Sequence, residues 1–271
     1  MTSIPTEPMA GAAQAFADTS ERRTAFQAAL GLHKAGKLRE AEGAYRRILE
    51  AWPGDPDALH FLGTIALQAR RPAEAIDAIR KAIAVRPKAA YHYNLGLACI
   101  AARDGAGAEA AFRGALALDP RHAEAQFHLG SLLLRRDDVP AAIEAYRGAI
   151  ATRPDFVDAL TNLGNVLVGT GRAVEAIPLL ERARDLRPDD ADVLTNLGIA
   201  QATMSLEAAL ETYRRALAVS PDHFGALYNV GVIYSKLEQP AEAADFLQRA
   251  VAVAPRRVEA RLSLASELTD L

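Results

Sequence analysis

The sequence predicts an all-α protein: a solenoid of about seven two-helix units followed by a C-terminal capping helix. Three observations carry this reading. Pro53, Pro87, Pro120, Pro154, Pro188, Pro221 and Pro255 recur at intervals of 34, 33, 34, 34, 33 and 34 residues. Small residues keep the same phase. Gly63, Gly96, Gly130, Gly164, Gly198 and Gly231 each follow Leu or Val, and Ala41, Ala75, Ala108, Ala142, Ala176, Ala209 and Ala243 form a second series. A third runs through Ala82, Ala115, Ala149, Ala183, Ala216 and Ala250, with Ile48 in the first unit. Finally, half of the 271 residues are hydrophobic but only 6% are aromatic, and roughly a fifth are alanine, the strongest helix former.

Taken in order, residues 1–21 hold two prolines amid Ala, Ser and Thr, and are expected to be disordered or weakly helical. Seven units then span 22–55, 56–88, 89–122, 123–156, 157–190, 191–223 and 224–257. The fifth shows the pattern. Leu160, Leu163, Gly164 and Leu167 make one apolar stripe at helical spacing. Gly171 marks a turn, and a second helix carries Ala176, Ile177, Leu180, Ala183 and Leu186. Pro188 stops it, because proline has no N–H and clashes with the preceding turn. The glycine at the eighth position and the alanine at the twentieth are placed where the paired helices cross, where a bulky side chain would force the axes apart. Residues 258–271 begin like another first helix. Val258, Leu262, Ala265 and Leu268 are expected to face inward, with Glu259, Arg261 and Glu267 outward.

The run Leu194, Leu197, Gly198, Ala209, Tyr213, Ala216, Pro221 resembles the tetratricopeptide repeat, and the resemblance extends over 22–257. Departures are local: Ala29 replaces the glycine of the first unit, Ile48 its later alanine, and the sixth unit lacks a turn glycine in ATMSLEAA. The resemblance implies a right-handed superhelix whose concave groove is lined by the first helices. It also implies a terminal cap, which agrees with the need of solenoids for a polar outer face.

The groove positions that the family implies hold Asn94, Asn162, Asn196 and Asn229 at the sixth place, with Gln27, Phe61 and His128 there in other units. An amide offers both a donor and acceptors and can grip a peptide backbone without reading its side chains. This row resembles the groove of O-linked N-acetylglucosamine transferases. Asparagine here is equally common in the family at large, so a solvated groove residue stands as the alternative. Phe26, His60, Phe61, Tyr93, Phe127 and Tyr228 lie at the fifth or sixth places and either contact a ligand or pack sideways. Asp57, Glu124, Asp158 and Asp192 at the second place are expected to make one rim acidic. Arg46, Arg80, Arg113, Arg147, Arg182, Arg215 and Arg249 form a row on the second helices. Glu42–Arg46, Glu109–Arg113, Glu211–Arg215 and Asp245–Arg249 are expected as ion pairs, so the row reads as a solvated face and not as a nucleic-acid surface.

The remaining composition narrows the function. With 31 Lys+Arg against 34 Asp+Glu, net charge is −3, unlike that of a polybasic nucleic-acid binder. The single cysteine, Cys99, excludes a disulfide framework and reads as a buried core residue. Residues 31–38 (GLHKAGKL) fall short of a phosphate-binding loop, lacking its Ser/Thr and a preceding strand. The histidines show no metal-ligand spacing, so no metal or cofactor is expected. No apolar run approaches the ~20 residues of a membrane helix, and no secretory signal is evident, so a cytoplasmic protein is expected. The expected function is a non-catalytic scaffold that binds an extended peptide or a helix of a partner protein. The alternative is a substrate-recruiting part of a protein glycosyltransferase system, and weak self-association through the end repeats is a further expectation.

Overall fold

The computed structural model describes residues 19–269, which contain fifteen helices and no strand. They are α1 (Ser20–Lys34), α2 (Leu38–Ala51), α3 (Pro56–Gln68), α4 (Pro72–Val85), α5 (Ala89–Ala101), α6 (Gly105–Leu118), α7 (Ala123–Arg135) and α8 (Val139–Thr152). There follow α9 (Val157–Gly169), α10 (Ala173–Leu186), α11 (Ala191–Gln201), α12 (Leu206–Val219), α13 (Phe224–Lys236), α14 (Pro240–Val253) and α15 (Val258–Thr269). Most of the segment expected to be disordered or weakly helical, 1–21, lies outside the described residues. Its last two, Ser20 and Glu21, open α1 behind the cap residue Thr19, whose hydroxyl accepts from Arg22 N–H at 3.2 Å.

The helices start and stop for local reasons. Asp55, Asp104, Asp138, Asp190 and Ser205 accept backbone N–H groups of the first turns of α3, α6, α8, α11 and α12. Within a pair the turn closes by the Schellman pattern. In the second pair Arg71 N–H donates to the Ala66 carbonyl at 2.8 Å, and Arg70 N–H to that of Leu67 at 3.0 Å. That closure needs a left-handed residue. Gly36 and Gly171 provide it at φ 74° and 75°, but Arg70, Arg103, Asp137 and Glu238 take the same step at φ 58°, 60°, 63° and 56°. A side chain there costs about 1–2 kcal/mol. From the start of α11 to the start of α12 the chain is a residue shorter than in the pairs on either side, and no residue in this turn has positive φ. Its missing residue is the left-handed step.

The core of each pair is one repeated contact. Tyr45, Ile79, Phe112, Tyr146, Leu180, Tyr213 and Leu247, one per second helix, are each at most 1% exposed. From the second pair on, each sits on the glycine of its first helix. A Cβ added to Gly96 would lie 2.5 Å from Phe112 Cε1, and one added to Gly198 2.5 Å from Tyr213 Cε1. At Gly63 and Gly231 the backbone carbonyls of Ala75 and Ala243 also stand 3.1 and 3.3 Å from such a Cβ. The two small-residue series therefore mark the helix crossing, as the sequence suggested.

The chain divides into two compact units, Met1–Ala125 and Gln126–Leu271, with the division inside α7. In the first, α1–α2, α3–α4 and α5–α6 pack in chain order. In the second, α9–α10, α11–α12 and α13–α14 do so after α8, and α15 lies on α13 and α14.

The last helix corrects the sequence reading. Val258, Leu262 and Leu268 are 52%, 67% and 52% exposed, and Ala265 is exposed as well. Ala260 is fully buried, and the buried Glu267 accepts a hydrogen bond from the Ser235 hydroxyl at 2.6 Å. The expected inward stripe occupies the positions through which other first helices pack on their own second helix. No second helix follows α15 among the described residues, so it docks instead through the face that meets the preceding pair.

The glycine contact is directly testable. Gly96→Val forces the Phe112 ring off its seat and is expected to lower stability by about 1–3 kcal/mol, read from urea unfolding followed by circular dichroism.

Candidate peptide groove

In the first unit the groove face is dominated by one carboxylate. Asp57, at the start of α3, takes Lys88 Nζ at 2.7 Å, Arg86 Nη2 at 2.5 Å, Arg22 Nη2 at 3.3 Å and the Tyr91 hydroxyl. Partial burial opposes ionisation of Asp57, but hydrogen bonds from Lys88 and Tyr91 and the charges of Lys88 and Arg86 overcome it, holding the carboxyl well below the usual range. Fully buried Asp55 caps α3 through the Ala58 N–H at 2.8 Å and also pairs with Arg22.

Beside this cluster His60 is 6% exposed and stacks on Tyr91 with ring centroids 4.4 Å apart. Asn94 Nδ2 lies 2.7 Å from His60 Nε2. Nε2 then accepts and the ring proton sits on Nδ1, which is buried without a partner. Burial pushes the His60 pKa down to about 4. The Asn94 amide is thus engaged inside the chain. Phe61 is half-buried and stacks on Tyr45 at 5.5 Å, with Phe26 and His33 each at 5.6 Å. Tyr93 lies against Phe112 at 6.0 Å and His122 at 4.7 Å.

The second unit differs. Asn162, Asn196 and Asn229 occupy the same place on α9, α11 and α13, and α11 packs against both of the other two. Each is half-buried, and none of their side chains makes a hydrogen bond among the described residues. Next to Asn162, the Thr161 hydroxyl is buried without a partner. The equivalent Thr195 lies 3.2 Å from His223 Nδ1. His223 Nδ1 also caps α13, accepting from Ala226 N–H at 3.2 Å, so Nε2 carries the proton and donates to Asp192 at 3.0 Å. Phe127 packs on Tyr146 at 5.9 Å, Phe156 at 5.0 Å and His128 at 5.3 Å. Tyr228 stacks on Phe224 at 5.9 Å, with the Arg257 guanidinium 5.2 Å from the Phe224 ring. The groove aromatics of both units therefore pack sideways on neighbouring rings while keeping part of each surface open.

Two expectations change. The acidic rim is neutralised from within at Asp57 and Asp158. Besides Asp57, Asp158 pairs with Arg187 at 3.0 Å, and Asp192 accepts the His223 Nε2–H bond. The arginine partner lies 29 residues on, immediately before a stop proline (Arg86, Arg187), a spacing that the sequence offered. The row on the second helices is paired only in places. Arg46 meets Glu42 at 2.7 Å, and Arg113 meets Glu109. Glu211, however, pairs with Arg214 at 3.6 Å, and Arg249 reaches the Phe246 ring at 5.2 Å and the Pro221 carbonyl at 3.4 Å. Cys99 is fully buried, as read, and burial pushes its thiol pKa up.

A model of the tetratricopeptide repeat matches residues 26–90, 62–120, 93–156, 129–191, 161–203 and 205–258. The chain belongs to the tetratricopeptide repeat family. Among solved structures, it is similar to YrrB, described as a TPR protein with an unusual peptide-binding site, at 26% identity and TM-score 0.61, over 73% of this chain and 100% of that one. MamA gives 27% identity and TM-score 0.55, over 59% of this chain and 94% of that one. The C-terminal part of a TPR repeat-containing protein from Cytophaga hutchinsonii shares the fold at 18% identity, TM-score 0.68, over 88% and 99%. By sequence, cellulose synthase operon protein C of Pseudomonas fluorescens is 39% identical over 69 residues, 26% of this chain and 5% of that protein. The chain thus spans only a small part of that relative. Tetratricopeptide repeats generally serve protein–protein interaction.

Buried His60 gives this repeat protein an acid sensitivity. Between pH 6.5 and 4 the unfolded chain takes up a proton that folded His60 refuses, so stability falls as pH drops through that window, by about 3 kcal/mol at the limit. The urea midpoint is expected to drop more between pH 7.5 and 4.5 for the wild type than for His60→Leu.

Proposed function

We propose that the chain is a non-catalytic scaffold that binds an extended segment of a partner protein along the first helices of its second unit. The observation that carries this reading is the row of half-buried amides, Asn162, Asn196 and Asn229, that have no side-chain hydrogen bond among the described residues. These amide atoms are open to water, and each hydrogen bond to a ligand backbone is worth about 1 kcal/mol net. Neighbouring helices lie roughly 10 Å apart and an extended chain rises about 3.3 Å per residue, so successive amides meet about every third residue. A helical ligand has its own backbone groups paired and offers the amides little, which favours an extended one. The half-buried Phe127, His128 and Tyr228 provide apolar contact beside the row, as aromatic residues do at interfaces. YrrB, a relative with a peptide-binding site, supports the same reading.

The division into seven repeats and a terminal helix is kept as part of this proposal. No helix among the described residues is long and apolar enough to cross a membrane, which is compatible with the cytoplasmic setting we propose. Recruitment of substrates to a glycosyltransferase would use the same amides and is the narrower form of the scaffold reading.

The test is affinity capture from native lysate followed by mass spectrometry. The triple variant Asn162→Ala, Asn196→Ala, Asn229→Ala is expected to retain its helical circular dichroism and to lose capture, by about 100-fold if each bond contributes ~1 kcal/mol. Asn94→Ala, whose amide is already bonded to His60, is expected to capture as the wild type does. Undiminished capture by the triple variant would discard the amide row.

A further inference from the structure

Charge is unevenly divided along the chain. The first unit holds 16 Lys and Arg against 14 Asp and Glu, and the second holds 15 against 20. The unit that carries the asparagine row is therefore the acidic one. Within it, one carboxylate beside the row lacks the cation that its equivalents have.

Asp57, Asp158 and Asp192 occupy the same place in the first turns of α3, α9 and α11. The second helix of each pair ends on a cap residue immediately before the stop proline. For α4 and α10 that residue is an arginine, and it reaches back to the carboxylate: Arg86 to Asp57 at 2.5 Å and Arg187 to Asp158 at 3.0 Å. For α12 it is Ser220, on a similar backbone, with φ −135° and ψ 94° against −135° and 75° for Arg187. Serine cannot make the pair. Among the described residues the Asp192 side chain has one partner, His223 Nε2 at 3.0 Å, and it is 87% exposed against 53% for Asp158.

His223 orients this carboxylate without compensating it. Its Nδ1 accepts the Ala226 N–H, so the ring is neutral and Nε2 donates to Asp192. The ring is held in place by that cap and by Thr195 at 3.2 Å. A cation arriving from outside thus meets a carboxylate that is already positioned, which lowers the ordering cost of the pair. Asp189 and Asp222, both exposed, lie in the loops leading into α11 and α13 and add negative potential along the same edge.

Asp192 precedes Asn196 by four residues, so the two project from one face of α11 with Cβ atoms about 5–6 Å apart. A lysine or arginine side chain spans that distance from a residue whose backbone lies on Asn196. We propose that Asp192 selects the bound segment by charge: the partner presents a lysine or arginine that pairs with Asp192 while its backbone lies on Asn196. This rests on the reading of the amide row as a peptide groove and adds the chemistry of the occupant. Asp158, already paired with Arg187, takes no part, so the preference falls on one position of the segment and does not recur along it.

The experiment selects random peptides displayed on phage against the immobilised full chain and sequences the retained pool. Peptides of about ten residues are long enough to cross α9, α11 and α13. Lys and Arg are expected to be enriched at a single position among peptides that the wild type retains. Asp192→Asn, which keeps an acceptor for His223, is expected to abolish that enrichment and to weaken a retained peptide about 2–5-fold. Ser220→Arg, which supplies to Asp192 the cation that Arg187 supplies to Asp158, is expected to do the same with unchanged circular dichroism. A basic preference that survives Asp192→Asn overturns the proposal. So does a pool without basic preference whose binding is lost in the triple asparagine variant, and in that case the groove reading stands. Peptides that bind the triple asparagine variant as well as the wild type, or a library that yields no binder, overturn the groove reading and this proposal with it.

Discussion

The rest of the structure depends on a contact between a large side chain of each second helix and the glycine of its first helix. Phe112 on Gly96, Leu180 on Gly164 and Tyr213 on Gly198 are instances of one arrangement. The glycine has no Cβ, so the ring or the leucine reaches the first helix's backbone and the two axes come close. With the axes close, the alanines at the crossing are fully buried without leaving a void. A chain with few aromatic residues can therefore form a continuous core from small side chains, provided that each pair has one large residue and one place to seat it.

Because this contact sets the spacing within each pair, the first helices can devote their other faces to different tasks. In the first unit that face is consumed internally: His60 holds Asn94, Phe61 lies among Phe26, His33 and Tyr45, and Asp57 gathers cations. In the second unit Asn162, Asn196 and Asn229 are unengaged. The same repeat consensus thus yields a self-satisfied half and a half with vacant hydrogen-bonding capacity. The difference arises from single substitutions, such as His60 against Thr161 and Thr195 at equivalent places.

Much of this was legible in the sequence, because it is local and periodic. The proline stops, the glycine and alanine series and the fifteen helices follow from spacing alone. What was not legible depends on contacts across units or on faces that periodicity leaves ambiguous. The stripe Val258–Leu262–Leu268 is apolar at helical spacing, and spacing does not say whether a second helix is there to cover it. Arg70, Arg103, Asp137 and Glu238 adopt a left-handed conformation that glycine alone advertises. The neutralised rim needs knowledge of which residue the next pair brings near Asp57 or Asp158. His122 and His223 act as caps through Nδ1, a role more often given to Asp or Ser.

The Asp57 cluster has a consequence for how the chain opens. In a repeat array, stability is close to a sum of each repeat's own free energy and nearest-neighbour terms. Arg22 of α1 and Lys88 and Tyr91 at the start of α5 meet at the Asp57 carboxylate of α3, and Arg22 also holds Asp55. Fraying the first pair alone strips a cation from a partly buried charge, so the loss is felt two pairs away. Amide exchange across α1, α3 and α5 would then proceed in a single cooperative opening, while α9, α11 and α13, joined by separate contacts at Asp158 and Asp192, open in steps.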